Sequence, residues 1–124
     1  HGDDARPVLI LVNGLGVTPV SSLLRDLSAR SRPVVVYRVR AEQDALYLAE
    51  LRRLAAERDG AVQLIAGSRE QHPVTPGRIE QWVPDVASRH VYVCGSRGFV
   101  EQARAAVTEL GVPRERLTAE AFTW

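Results

Sequence analysis

An α/β domain, with a parallel sheet covered by helices on both faces, is what this sequence predicts. Three observations carry the prediction. Short apolar or β-branched runs alternate with stretches of helical periodicity along the chain. The runs are nearly continuous in apolar residues, as in strands buried on both sides. Gly and Pro punctuate the passage from one kind of segment to the next. Parallel strands need right-handed crossovers, and the intervening helices supply them. The expectation is a three-layer, doubly wound sheet of five parallel strands.

The elements follow in order. Residues 1–7 are polar, end in Pro7 and read as a linker, leaving 8–124 as the domain. Val8 to Val12 is the first strand. Val20, Leu23, Leu24 and Leu27 then recur at helical spacing, with Thr18 as a candidate cap and Pro19 suited to the first turn. Pro33 to Tyr37 is a second strand. From about Gln43 to Arg58 the pattern is helical, placing Tyr47, Leu51 and Leu54 on one face, and Gly60 stops it. Ala61 to Ala66 is a third strand. Thr75-Pro76 repeats the cap-then-proline signal ahead of Ile79, Trp82 and Val83. His90 to Cys94 is a fourth strand. Phe99, Ala103, Ala106, Val107 and Leu110 form the last helical stripe, closed by Gly111, and Leu117 to Phe122 is a short fifth strand.

Composition sets bounds. A chain of 124 residues is one domain with room for a core. The net charge of +1 gives no case for a nucleic-acid surface. All 16 basic side chains are Arg, so Arg is the sole cation available for anions. One cysteine, Cys94, forms no internal disulfide and suits a reducing compartment, which points to the cytoplasm. No run has membrane-spanning length. The chain starts at His1 without Met and reads as an excised piece, so neighbouring segments are expected, including any that reach a membrane's inner face.

In an open parallel sheet, ligands bind beyond the carboxyl ends of the strands. Two strand ends stand out. Gly14-Leu15-Gly16-Val17-Thr18-Pro19 combines a sharp turn with a helix start, and a helix N-terminus offers free N–H groups to a phosphate. Its G-x-G-x-x-P spacing departs from the G-x-G-x-x-G dinucleotide fingerprint, and a plain βα turn accounts for it as well. Cys94-Gly95-Ser96-Arg97 also ends a strand and opens a helix. Cys94 is open to reading as a nucleophile, a metal ligand or a buried wall residue. A phosphatase-type loop requires Arg at position 100, which is Val. His1, His72 and His90 are scattered, which argues against a metal.

Taken together these motifs identify a resemblance. "NGLGVTP", "VYVCGSRGFV" and "AEAF" stand in the order and spacing of the Gly-x-Gly-x-(Thr/Ala)-Pro loop, the V-Y-x-C-G-P-x-x-(F/M)-V block and the closing E-x-aromatic of the pyridine-nucleotide-binding domain of the ferredoxin–NADP reductase superfamily. The resemblance spans about Pro7 to Phe122. Ser96 departs from it where Pro is usual, Asn13 where Gly or Ala is usual, and Thr123-Trp124 extend past the aromatic.

The resemblance implies strand order 3-2-1-4-5, with the Gly14 loop and Cys94 flanking one crevice. A dinucleotide pyrophosphate then lies against Gly14, Gly16, Val17, Thr18 and Pro19, with Gly95 and Ser96 opposite. Thr18 and Cys94 line the nicotinamide pocket. It further implies that Ser68 and Arg69, with Arg78 and Arg40, hold an adenosine 2′-phosphate, which favours NADPH over NADH. Glu42 and Asp44 are candidates for the acid that would hold a free ribose hydroxyl instead. Glu120 and Phe122 face a flavin, and Phe122 or Trp124 covers its ring. The R-x-Y-(S/T) flavin motif is absent here. The implied whole is a two-domain flavin reductase with FAD on an upstream barrel and an iron–sulfur, haem or ferric acceptor. Two alternatives stand beside it: a non-enzymatic nucleotide-binding or docking module, and a flavodoxin-like domain that binds flavin itself.

Overall fold

The computed structural model describes residues 6–68 and 70–122. Five strands form one parallel sheet: β1 (Val8–Asn13), β2 (Val34–Val39), β3 (Ala61–Ala66), β4 (His90–Gly95) and β5 (Leu117–Ala121). Their order is β3-β2-β1-β4-β5, as the resemblance implies. Four helices make the crossovers: α1 (Thr18–Asp26), α2 (Leu48–Ala56), α3 (Pro76–Trp82) and α4 (Arg97–Glu109).

Strand alternation sends each second side chain to the opposite face, and both faces are apolar. Leu9, Leu11, Val91 and Val93 pack with Ile79, Phe99, Ala103 and Val107 on the α3/α4 side. Ile10, Val12, Tyr37 and Tyr92 pack with Val20, Leu24, Leu51 and Leu54 on the α1/α2 side. Every residue from Val8 to Val12 is at most 2% exposed. That explains why β1 reads as an unbroken apolar run with no polar face.

The amino end of the sheet is tied by arginines. Arg89 donates to the carbonyls of Val8 and Arg32, at 2.9 and 3.2 Å. Arg58 donates to the carbonyls of Leu27, Leu54 and Arg25, at 3.2, 2.8 and 3.3 Å, gathering the ends of α1 and α2. Arg25 and Glu50 pair across the same two helices. Pro7 already accepts a bond from the His90 N–H at 3.0 Å.

Two local expectations need correction. Thr18 does not cap α1. Gly14–Val17 forms a 3₁₀ turn that runs directly into the helix, so the residue before it, Val17, already has helical backbone (φ −65°, ψ −26°) and makes no side-chain cap. Thr18 is therefore the first helical residue and exposed. The second helix also starts later than Gln43. A 3₁₀ turn covers Glu42–Asp44, and Tyr47 adopts left-handed backbone (φ 61°) before α2 begins at Leu48. That residue redirects the chain from the turn after β2 into the helix. Tyr47 is thus 57% exposed instead of sharing the buried face of Leu51 and Leu54. Thr75, by contrast, does cap α3, accepting the Arg78 N–H at 3.2 Å. No helix among the described residues is long and apolar enough to cross a membrane.

Ile10 lies on the central strand with no exposed surface. Ile10→Ala is expected to cost about 2–5 kcal/mol, a transfer penalty plus a cavity. Urea unfolding followed by circular dichroism measures it, and an unshifted midpoint would contradict this account of the core.

Candidate functional site

β1 and β4 are neighbours, pairing Val12 with Cys94, yet the connections from them leave in opposite directions along the sheet. Between the loops that follow them a crevice must open. A groove of about 1120 Å³ occupies this carboxyl end, bounded by residues that follow β1, β2, β3 and β4. Gly14, with left-handed backbone (φ 54°), lets the chain turn at once into the 3₁₀ segment.

Of the candidate residues, Gly14, Arg40, Ser68 and Ser96 line this groove. Gly16 and Val17 belong to the adjacent turn, and Val17 is buried in the α1/α2-side core, so it can offer a ligand only its backbone. Thr18 is exposed and Pro19 half-buried at the start of α1. Ser68 and Gln71 brace their loop reciprocally. The Ser68 N–H donates to Gln71 Oε1 at 2.9 Å, and the Gln71 N–H to Ser68 Oγ at 3.2 Å. Arg78 reaches the same loop, donating to the Gln71 carbonyl at 3.4 Å. Arg69 and Trp124 lie outside the described residues.

Cys94, Glu120 and Phe122 gather elsewhere, on the α1/α2 side of the β4 and β5 ends. Cys94 is paired in register with Glu120. Phe122 packs on the core cluster that contains Cys94, and its N–H donates to the Gly95 carbonyl at 2.8 Å. Burial, and secondarily the Glu120 carboxylate, push the Cys94 thiol up from 9.0 to about 11. A protonated, buried thiol is a poor nucleophile, which favours the wall-residue reading. Among the described residues no cluster of His, Cys, Asp or Glu has the arrangement of a metal site.

Arg38, Asn13 and Asp44 are among the groove residues that lay outside the candidate set. Arg38 is only 8% exposed; its guanidinium sits 5.1 Å from the Phe99 ring centroid and donates to the His72 carbonyl at 3.3 Å. The signal was strand parity, which puts Arg38 on the same side as Val36 and so beneath α4. Asn13 reaches across the crevice to Ser96. Asp44, a candidate only for the rival nucleotide, also lines the groove.

A doubly wound sheet whose Gly-rich turn borders a polar groove at the switch point defines a dinucleotide-binding class of domain. Residues 10–105 match the model of the oxidoreductase NAD-binding domain family, and the chain belongs to that family. It is 35% identical to an NADPH oxidoreductase of Mycobacterium tuberculosis, over 97% of this chain and 32% of the relative. It is 38% identical to NADH oxidoreductase HCR of Escherichia coli, over 86% of this chain and 33% of that protein. The chain thus spans about a third of the length of these curated relatives. In fold it matches a cytochrome P450 reductase from Amycolatopsis, with a TM-score of 0.80, 20% identity, and 98% of this chain on 39% of that one. The ferredoxin–NADP reductase resemblance is borne out.

The raised Cys94 pKa has a sign. The folded state holds the thiol proton more tightly than the unfolded chain does. Its stability contribution is therefore complete below the thiol's ordinary value and is lost as pH rises toward about 11. Iodoacetamide should leave Cys94 unmodified in the folded chain at pH 8, with alkylation rising only at the alkaline end of that window. Rapid labelling at neutral pH, read by mass spectrometry, would contradict the assignment.

Proposed function

We propose that this chain binds NADPH and presents its nicotinamide to a flavin held mainly by a preceding barrel domain, as the C-terminal part of a two-domain flavin reductase. The single observation behind this is the switch-point groove, lined by Gly14, Ser68, Arg40 and Arg38. Its volume lies just above the roughly 300–1,000 Å³ of ordinary small-molecule sites, which suits an elongated dinucleotide. Arginine forks match a phosphate dianion, and a backbone turn allows close approach of a diphosphate.

When bound, the nucleotide supplies a hydride to the flavin, which passes electrons to an iron–sulfur or haem acceptor. This chain's residues contribute placement. The Gly14–Val17 turn holds the diphosphate beside the start of α1. Ser68, Arg69 and Arg78 fix the adenosine 2′-phosphate. Cys94, neutral and small, walls the ring from the α1/α2 side, while Glu120 and Phe122 shape the flavin-facing edge. Holding two reacting rings in register supplies most of such a step without a protein acid or base.

A second reading, NADH in place of NADPH, is favoured by Asp44, whose place in the groove suits a free ribose hydroxyl. The relatives include one of each preference by name. Calorimetry separates the two. The chain is expected to bind 2′-phospho-AMP more tightly than AMP, with Arg69→Ala losing about 1.5–3 kcal/mol for the phosphorylated ligand alone. Equal affinities would transfer the assignment to NADH.

The flavin's main site lies on the other domain in this reading. The purified 124-residue chain should therefore be colourless and should not reduce ferricyanide with NADPH. Stoichiometric FAD in its visible spectrum would overturn the domain assignment.

A further inference from the structure

Asn13 ends β1 and Ser96 follows β4, so the pair flanks the switch point. Two hydrogen bonds join them. The Ser96 N–H donates to Asn13 Oδ1 at 3.0 Å, and Asn13 Nδ2 donates to Ser96 Oγ at 3.3 Å. Gly95 makes room for this clasp: a Cβ there would sit 1.8 Å from Asn13 Oδ1, and its backbone is at φ 155°. The two departures from the family pattern are thus one feature. Proline at position 96 has no N–H to give, and Gly or Ala at position 13 has no amide to receive it.

The clasp does not serve the helix it adjoins. Ser96 is the N-cap residue of α4, yet its side chain accepts no bond from the helix's own N–H groups. Nor does the clasp use up its own polar groups. A carboxamide carries two donor hydrogens and two acceptor lone pairs, and the clasp engages one of each. The Ser96 oxygen accepts here, which leaves its hydroxyl hydrogen to give. Both residues line the groove. What faces the ligand space between the Gly14 turn and α4 is therefore a pair of neutral donors, rigidly spaced by their mutual bonds.

We propose that the Asn13–Ser96 clasp binds the second phosphate of the diphosphate and the ribose beyond it, and positions them between the two loops. The inference rests on the nucleotide reading above and deepens it. Neutral donors suit oxygens that already have a cation site farther along the groove. Mutual bonding means little freedom is lost when ligand arrives.

The test compares two ligands by calorimetry on the 124-residue chain: 2′-phospho-AMP, which ends at the first 5′-phosphate, and 2′-phospho-ADP-ribose, which adds the second phosphate and ribose. Asn13→Ala should reduce the affinity gained from the added segment by about tenfold, the scale of a hydrogen bond to a charged group. Affinity for 2′-phospho-AMP should stay within about twofold, since additivity holds for distant, independent sites. Asn13→Asp keeps an acceptor for the Ser96 N–H and loses the donor. The ligand role predicts a loss at least equal to that of Ala, read together with Ser96→Ala because the added carboxylate itself repels a diphosphate. Ser96→Ala keeps the backbone bond and should lose part of the gain. If Asn13→Ala melts without cooperativity, the Asp and Ser96 variants carry the test. Wild-type gain retained in Asn13→Asp and Ser96→Ala overturns the inference alone. A wild-type chain that binds neither ligand overturns the nucleotide reading and this inference together.

Discussion

Everything in this domain depends on β1 being buried on both faces while pairing in parallel with β2 on one side and β4 on the other. A strand in that position has no solvent face, so each of its side chains must meet a helix. A parallel neighbour cannot be reached by a tight hairpin, so the chain must cross over the sheet after every strand. With helices needed on both faces, the connections run outward from β1 in both directions. The reversal between β1 and β4 follows, and with it a crevice that no crossover covers.

That constraint also divides the chemistry. Odd and even positions of the strands point to opposite layers, so the ends of the same strands deliver two separate groups of side chains. Arg38, at the end of β2, goes to the α3/α4 side and rests on Phe99. Cys94, at the end of β4, goes to the α1/α2 side with Phe122 and Val17. A molecule spanning the switch point meets polar donors and guanidinium groups over one part of its length and a small apolar wall over the other. This polarity matches a ligand with anionic groups at one end and a flat, weakly polar ring at the other.

Burial sets the state of the individual groups. Removing Cys94 from water disfavours its thiolate, and the neighbouring Glu120 charge adds to the effect. Arg38 has the opposite problem, since a guanidinium cannot shed its charge. Its desolvation is met by the His72 carbonyl and the Phe99 face. A held guanidinium lining the groove costs less to organise when an anion arrives than one that must be gathered from solvent.

The sequence by itself determined the elements and their class. Continuous apolar runs such as Val8 to Val12 and His90 to Cys94 fit only strands covered on both sides, and glycine and proline marked where the turns fall. Strand order came from resemblance, because local pattern carries no information about which strands pair. The late start of α2 and the role of Thr18 escaped the pattern, because 3₁₀ turns and the left-handed Tyr47 preserve helical periodicity while changing the chain's direction. Tertiary structure decided which residues share the groove. Asn13 and Ser96 are separated by 83 positions, and only the pairing of β1 with β4 brings a carboxamide within reach of an N–H that far along the chain. Hydrogen bonds of that range depend on register and on the absence of a Cβ at Gly95, neither of which a linear pattern expresses.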